Sequence, residues 1–165
     1  MRNKVSIIIC VMLFFGCSKH KKEKQILESR IDSLKNEITF IKEKYRTGLG
    51  EIMGGIQMHH AKLWYAAINE NWKLAEYEIA EIKERCEEAE EINAQRIEMK
   101  NMKMIFPAID SLDAIIKEKN LEKFKEGFRT LTNTCNSCHA ISHFEFNSIK
   151  IPDNLPVTNQ EFKIN

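Results

Sequence analysis

The chain contains few of the residues that break helices or build turns. Its 165 residues include 6 glycines and 3 prolines, and aromatic residues make up 8% of the total. No segment alternates apolar and polar residues between turn signals, whereas Glu, Lys, Ile, Leu and Ala are abundant. This pattern predicts an all-α protein and argues against a β-sandwich or barrel.

The chain also lacks an excess of charge of either sign. Its 25 lysines and arginines nearly balance its 24 aspartates and glutamates, and neither sign forms a long block. Proteins that bind nucleic acid usually carry a basic patch or stripe. We therefore expect no nucleic-acid partner.

Long apolar runs are missing except at the N-terminus. Arg2 and Lys4 precede the apolar run 5–15, which ends at Gly16 and Cys17. The run is too short to cross a bilayer as a permanent helix, which needs roughly 20 residues. A basic start, a short apolar core and a small residue before the cleavage point predict a secretory signal.

Residues 13–17, Leu-Phe-Phe-Gly-Cys, resemble a bacterial lipoprotein signal. The resemblance implies that residues 1–16 form the signal peptide and that Cys17 becomes the lipidated first residue. The protein would then be lipid-anchored on the periplasmic side of a bacterial membrane or cell envelope. An ordinary signal peptide with an incidental cysteine is the alternative.

The most specific motif in the chain is Cys135-Asn136-Ser137-Cys138-His139. Two thiols separated by two residues can each add to one vinyl group of a haem, and the histidine that follows can coordinate the iron. The motif therefore predicts one covalent haem c, attached through Cys135 and Cys138, with His139 as the proximal iron ligand. Export agrees with this reading because such attachment is completed outside the cytoplasm.

Two other uses of the motif are possible. Cys135, Cys138, His139 and His143 offer four zinc ligands within nine residues. A structural zinc site normally takes its second ligand pair from a distant segment, however, and these four lie on one predicted helix. A thiol redox pair is also disfavoured, because this helix half lacks the N-terminal dipole that lowers a thiol pKa.

The haem and lipid hypotheses also account for the odd number of cysteines. Cys10 is removed with the signal peptide, Cys17 carries lipid, and the motif uses two more. Cys86 remains, so we expect no disulfide. It lies in an apolar row with spacings of three and four, which predicts a buried, inert core residue.

A heptad pattern follows the proposed lipid site. Apolar residues recur at spacings of four, three, four, three and four, at Leu27, Ile31, Leu34, Ile38, Ile41 and Tyr45. This seam, residues 27–45, predicts a coiled-coil helix and a homo-oligomer. The alternative is a helix that packs on its own domain.

Four further helices are predicted after a break at residues 47–50. They run from Leu49 to about Ile68, from Trp72 to about Ala94, from Pro107 onward and from Leu121 onward, with a polar, methionine-rich connection before the third. The last carries an apolar stripe that continues into the haem cysteines. Together they predict a four-helix bundle, a scaffold that commonly holds cofactors between its helices.

The predicted domain order follows from these patterns. Residues 1–16 form the signal peptide, and 17–47 form a tether and coiled-coil stalk. Residues 48–148 form the haem-binding bundle. Residues 149–165 form an extended tail, since Pro152 and Pro156 restrict the backbone there, and we expect the tail to lie back over the bundle.

The distal side of the haem must come from another helix. Met53, Gln57 and His60 line one face of the first bundle helix at spacings of four and three. We expect His60 as the first candidate for the distal iron ligand and Met53 as the second. The alternative for His60 is a core histidine that hydrogen-bonds within the protein.

Four helices with a haem-attachment motif near the end of the last are similar to the cytochrome c′ group and its low-spin relatives. The similarity covers about residues 48–149, and its specific motif is Cys-Asn-Ser-Cys-His. The run 57–64, Gln-Met-His-His-Ala-Lys-Leu-Trp, is similar to one in small exported cytochrome-like lipoproteins. The N-terminal heptad helix and the long tail depart from the usual cytochrome c′ pattern.

These observations predict a single-haem c-type cytochrome that transfers electrons between redox partner proteins outside the cytoplasm. It would turn over no substrate itself and so would not be an enzyme. One alternative is the binding or sensing of a small gas such as NO or CO at a five-coordinate haem. Another is a structural interaction module that haem stabilises.

Overall fold

The computed structural model describes the backbone of residues 2–45 and 47–163, and the side chains of residues 20–45 and 47–163. Its internal contacts divide the chain into two compact units, Met1–Arg46 and Thr47–Asn165. The proposed lipid site at Cys17 and the signal segment lie outside the residues whose side chains are described. In the described part of the chain, no helix has both the length and the apolar character that crossing a bilayer demands.

The first unit is a single helix, α1, at Arg2–Lys44. The basic residues Lys42 and Lys44 lie in its last turn. Their positive charges interact favourably with the negative end of the helix dipole. The six seam residues are between 42% and 72% exposed. The seam is therefore a solvent-facing apolar stripe.

The second unit begins with a pair of long antiparallel helices and ends with a second such pair. The helices are α2 (Leu49–Ile68), α3 (Trp72–Ile92), α4 (Met99–Met102), α5 (Phe106–Glu118) and α6 (Leu121–Ile141), with a 3₁₀ turn at Lys103–Ile105. Asn71 and Asn120 cap α3 and α6, each accepting a backbone N–H from three residues on, which explains why both helices begin where they do.

The four long helices of this unit pack around one core. Contacts join α2 to α3, α3 to α5, α5 to α6 and α6 back to α2. The core includes fully buried side chains from each helix: Leu63, Ile79, Leu112, Phe124 and Phe128. No strand occurs among the described residues. The prediction of an all-α helical bundle is confirmed.

A glycine allows α5 and α6 to approach closely. A Cβ built on Gly127 would lie 2.9 Å from Cδ1 of Leu112 and 3.0 Å from Cδ1 of Ile115. Real Cβ atoms do not pack so tightly, so a larger residue at this position would force the ends of the Leu112 and Ile115 side chains to shift.

The polar, methionine-rich connection between α3 and α5 contains helical structure that the sequence did not predict. It contains α4 and the 3₁₀ turn, and Met99, Met102 and Ile105 are each about 5% exposed or slightly more. Their spacing of three residues places them on one face of this short helical stretch. The apolar face of this stretch therefore forms part of the core.

The C-terminal tail, residues 142–163, contains no helix and lies back against the bundle. Phe162 is 4% exposed and its ring centroid lies 5.8 Å from that of Tyr65. The side-chain amide of Asn71 donates to the carbonyl oxygen of Phe162 over 3.2 Å. These contacts bring the tail across the ends of α2 and α3.

Candidate functional site

A cavity of about 330 Å³ lies within the second unit. Its wall includes the side chains of Cys135, Cys138 and His139, near the end of α6. The rest comes from α2, from α3, from residues 96–105 and from the tail. The volume falls at the lower end of the roughly 300–1,000 Å³ typical of small-molecule sites.

The tail sets the orientation of the His139 ring. Nδ1 of His139 lies 2.6 Å from the carbonyl oxygen of Asn147. A carbonyl can only accept, so Nδ1 carries the hydrogen and donates it, which leaves Nε2 as the ring nitrogen available to coordinate a metal. Histidines that ligate metals commonly donate their other N–H to a backbone carbonyl in this way.

Asn136, between the two motif cysteines, holds the same part of the tail. Its side-chain amide donates to the carbonyl oxygen of Ile149 over 2.8 Å, and its oxygen accepts from the N–H of Ile149 over 2.7 Å. Ile149 follows Asn147 by two residues. The motif therefore fixes the tail segment that in turn fixes His139.

The motif thiols are not activated. Burial raises the pKa of Cys135 to about 12 and also raises the pKa of Cys138, partly opposed by a hydrogen bond with Ser142. Both cysteines are therefore protonated at neutral pH. A thiol redox pair requires a lowered pKa, so this arrangement does not favour one.

The geometry does not favour zinc either. His143 lies beyond the end of α6, in a left-handed backbone conformation with φ of 62°, and it is absent from the cavity wall. Among the described side chains, no group of three or more His, Cys, Asp or Glu residues is placed to hold a metal ion. The four candidate zinc ligands, the two motif cysteines, His139 and His143, therefore do not converge as a tetrahedral zinc site requires.

Helix α2 forms the wall that carries both distal-ligand candidates. Met53 is half-buried, and His60 is 3% exposed; both line the cavity. The structure thus brings the two candidates to the same cavity as the motif.

His60 is held by a specific hydrogen bond. Its Nε2 lies 2.9 Å from the hydroxyl oxygen of Thr132, and that hydroxyl donates its own hydrogen to the carbonyl oxygen of Phe128 over 2.8 Å. Nε2 of His60 is therefore the donor, and Nδ1 is its bare nitrogen. Burial lowers the pKa of His60 from 6.5 to about 4, so the ring is neutral.

Two glycines of α2 leave open space at the cavity wall. A Cβ built on Gly50 or on Gly54 would meet nothing within 4 Å, and both residues line the cavity. At these positions the wall is bare helix backbone. The donors that covalent haem attachment needs are therefore present at this cavity: two thiols, and one imidazole with an unprotonated nitrogen.

One cation faces the cavity. Among the described residues that line it, Arg96 is the single lysine or arginine. Its guanidinium donates to Glu98 over 2.7 Å and 3.4 Å, and this pairing lowers the pKa of Glu98. Neither residue could be predicted from the sequence, because both lie between the predicted helices, where no periodic pattern points to them.

Cys86 also lines the cavity and is 2% exposed. Burial raises the pKa of its thiol to about 12, so it is a neutral core residue, as the sequence predicted. Three cysteines thus border one cavity, although only two have the spacing of an attachment motif.

In comparisons with known proteins, no protein-family model matches this chain, and no curated protein or solved structure matches it either.

Proposed function

We propose that the second unit holds one haem c, attached through Cys135 and Cys138 with His139 as the proximal iron ligand, and that the protein transfers electrons. The observation that carries the proposal is the hydrogen bond from Nδ1 of His139 to Asn147. It leaves Nε2 free on a cavity wall that also carries both thiols. The motif alone predicts haem attachment, and this geometry supports it.

The residues around the cavity have separate tasks in this proposal. Bound haem would supply a one-electron couple between ferric and ferrous iron. The apolar wall, which includes Ile56, Ile82 and Met102, would shield part of the ring from water. Arg96 would neutralise a carboxylate of the haem, in exchange for part of its pairing with Glu98.

The hydrogen bond between His60 and Thr132 makes Met53 the better candidate for the distal ligand. Binding through Nε2 of His60 would break its bond to Thr132, and only Nδ1 is free to bind without that loss. Binding through the thioether of Met53 would break no described hydrogen bond. We therefore propose Met53 as the sixth ligand, with His60 as the alternative; a methionine ligand raises the reduction potential.

The second candidate function is the binding of NO or CO. It is favoured by the same hydrogen bond, since a tethered His60 together with a non-ligating Met53 would leave the sixth position open. The pocket wall on that side includes the bare backbone at Gly50 and Gly54, which leaves room for a diatomic ligand.

The setting proposed for this activity follows from the N-terminal segment. With Cys17 lipidated, the protein would be anchored on the periplasmic side of a bacterial membrane or in the cell envelope. It would exchange electrons there with other redox proteins. A relationship to the cytochrome c′ group is part of this proposal.

The test is expression in a host that attaches haem during export. We expect the mass to rise by one haem, the ferrous spectrum to be sharp and low-spin, and added CO to leave it unchanged. Cys135→Ala with Cys138→Ala should abolish covalent haem, whereas the control Cys86→Ala should retain it. A spectrum that shifts with CO would support gas binding, and wild-type protein without covalent haem would refute the proposal.

A further inference from the structure

The exposed stripe of α1 has a defined heptad register. The spacings assign Ile31, Ile38 and Tyr45 to position a and Leu27, Leu34 and Ile41 to position d. Each of these side chains is at least 42% exposed. A narrow a/d stripe is buried efficiently only by another helix with the same repeat, and a second copy of this chain provides one.

We propose that α1 of one chain pairs with α1 of a second copy as an antiparallel coiled coil over residues 21–44. The register places Ile31 opposite Leu34 of the second copy. One step outward in each direction, Leu27 meets Ile38 of the second copy, and Lys24 meets Ile41. The centre of the contact is therefore apolar, and a lysine closes each end with its apolar stem.

The charges beside the core select this arrangement. In an antiparallel pair each e position faces an e position, and each g position faces a g position. At the g positions, Arg30 then faces Glu37 and Glu23 faces Lys44. At the e positions, Glu28 faces Lys35. Each attractive pair occurs twice because the two copies are equivalent. The one unfavourable pairing, Lys21 with Lys42 at the two ends, also occurs twice.

A parallel dimer has the opposite balance. Position g there faces position e of the next heptad. The pairs, in chain order, are Glu23 with Glu28, Arg30 with Lys35, and Glu37 with Lys42. Two of these three are repulsive.

Shifting the antiparallel pair by one heptad is also worse. Arg30 would then face Lys44, and Lys35 and Glu37 would each face their own copy, against a single attractive pairing of Glu28 with Lys42. Flanking charges set partner choice and orientation in coiled coils, so the charge pattern favours the first register.

Charge reversal distinguishes the orientations by the sign of its effect. In the antiparallel pair, Glu28→Lys turns two attractive pairs with Lys35 into repulsive ones. In a parallel pair, the same change turns two repulsions with Glu23 into attractions. Contacts within one helix, such as Lys24 with Glu28 at 3.9 Å, are present in monomer and dimer alike and cancel from the association constant.

The experiment is sedimentation equilibrium of the exported protein in mild detergent. We expect a dimer whose dissociation constant rises about tenfold in Glu28→Lys and returns to the wild-type value in Glu28→Lys with Lys35→Glu. The control Glu43→Lys makes the same charge change on the outer face of α1 and should have no effect.

Two results would overturn the proposal. Tighter association in Glu28→Lys would establish a parallel pair. A wild-type protein that stays monomeric at every concentration would show that α1 has no second copy as its partner. Neither result bears on haem attachment, so this inference fails or succeeds separately from the proposed function.

Discussion

Asn136 holds the backbone of Ile149 through two hydrogen bonds of 2.7 Å and 2.8 Å. The carbonyl of Asn147 lies two residues before Ile149 and accepts the hydrogen of His139 Nδ1. Asn136 therefore positions the imidazole ring of His139 indirectly, by fixing the tail segment that binds it. The two residues between the cysteines are therefore not equivalent: Asn136 bonds to the tail, whereas Ser137 donates to the Asn133 carbonyl within α6.

The first prediction concerns the two hydrogen bonds between Asn136 and the backbone of Ile149. Asn136→Ala should lower the free energy of unfolding by about 1–3 kcal/mol, since it removes two hydrogen bonds worth about 1 kcal/mol each. Urea denaturation measures the loss, and hydrogen exchange at the amide of Ile149 should accelerate. The control Ser137→Ala should change neither. Equal stability of the two variants would show that the hydrogen bonds of Asn136 do not hold the tail.

The second prediction concerns pH. In the unfolded chain His60 binds a proton below about pH 6.5, but in the folded chain it does so only below about pH 4. Between these values the unfolded state takes up the proton, so the free energy of unfolding falls as the pH falls, by up to about 3 kcal/mol. Above pH 6.5 His60 contributes no pH dependence.

Urea denaturation from pH 7 to pH 4 measures this effect, with the window taken from the lowered pKa of His60. His60→Gln should flatten the curve relative to the wild type. The control His143→Gln removes an exposed histidine and should leave the curve unchanged. An identical pH profile in His60→Gln would show that this ring is not the group responsible.

The third prediction tests whether haem lies against α2 at Gly54. Gly54→Leu should sharply reduce haem per chain because its side chain would occupy the cavity, while the helix itself gains about 1 kcal/mol of propensity. The control Gly55→Leu makes the same gain on the next residue, which faces the flexible side chain of Arg85 at 3.6 Å. It should retain haem. The measurement is the ratio of haem to protein absorbance, and equal ratios would place the ring elsewhere.

The fourth prediction concerns the distal ligand. Met53→Ala should convert a low-spin spectrum to a high-spin one and make the ferrous form sensitive to CO. His60→Ala should keep the low-spin spectrum, because its Nε2 is committed to Thr132. Met58→Ala, an exposed methionine on the same helix, is the control. The reverse result, with high-spin iron only in His60→Ala, would make His60 the ligand.

Helix periodicity explains how much of the fold was predictable. The start and end of α2 agree with the prediction, and α3 and α6 begin at Trp72 and Leu121 as expected, because Asn caps and apolar stripes over five or more turns are strong local signals. The short helix at Met99–Met102 was not predicted, because four helical residues are too few to show a period.

The site was predictable only where side chains carry the chemistry. The sequence identified the motif and both residues of α2 that share its cavity. The carbonyl of Asn147 could not be predicted, since every residue carries a carbonyl and only the tail fold selects this one. Arg96 was missed for a related reason: its position depends on how an irregular segment packs.

The tail contact also has a consequence for the order of assembly. Residues 144–149 lie after the motif in the chain, so the wall that they supply, and the acceptor for His139, come into place only once the chain beyond α6 has docked. Access to the two thiols is widest before that moment. Attachment on a still-open bundle, followed by docking of residues 142–163, would make the tail a late closing step that sets the geometry of a cofactor already bound.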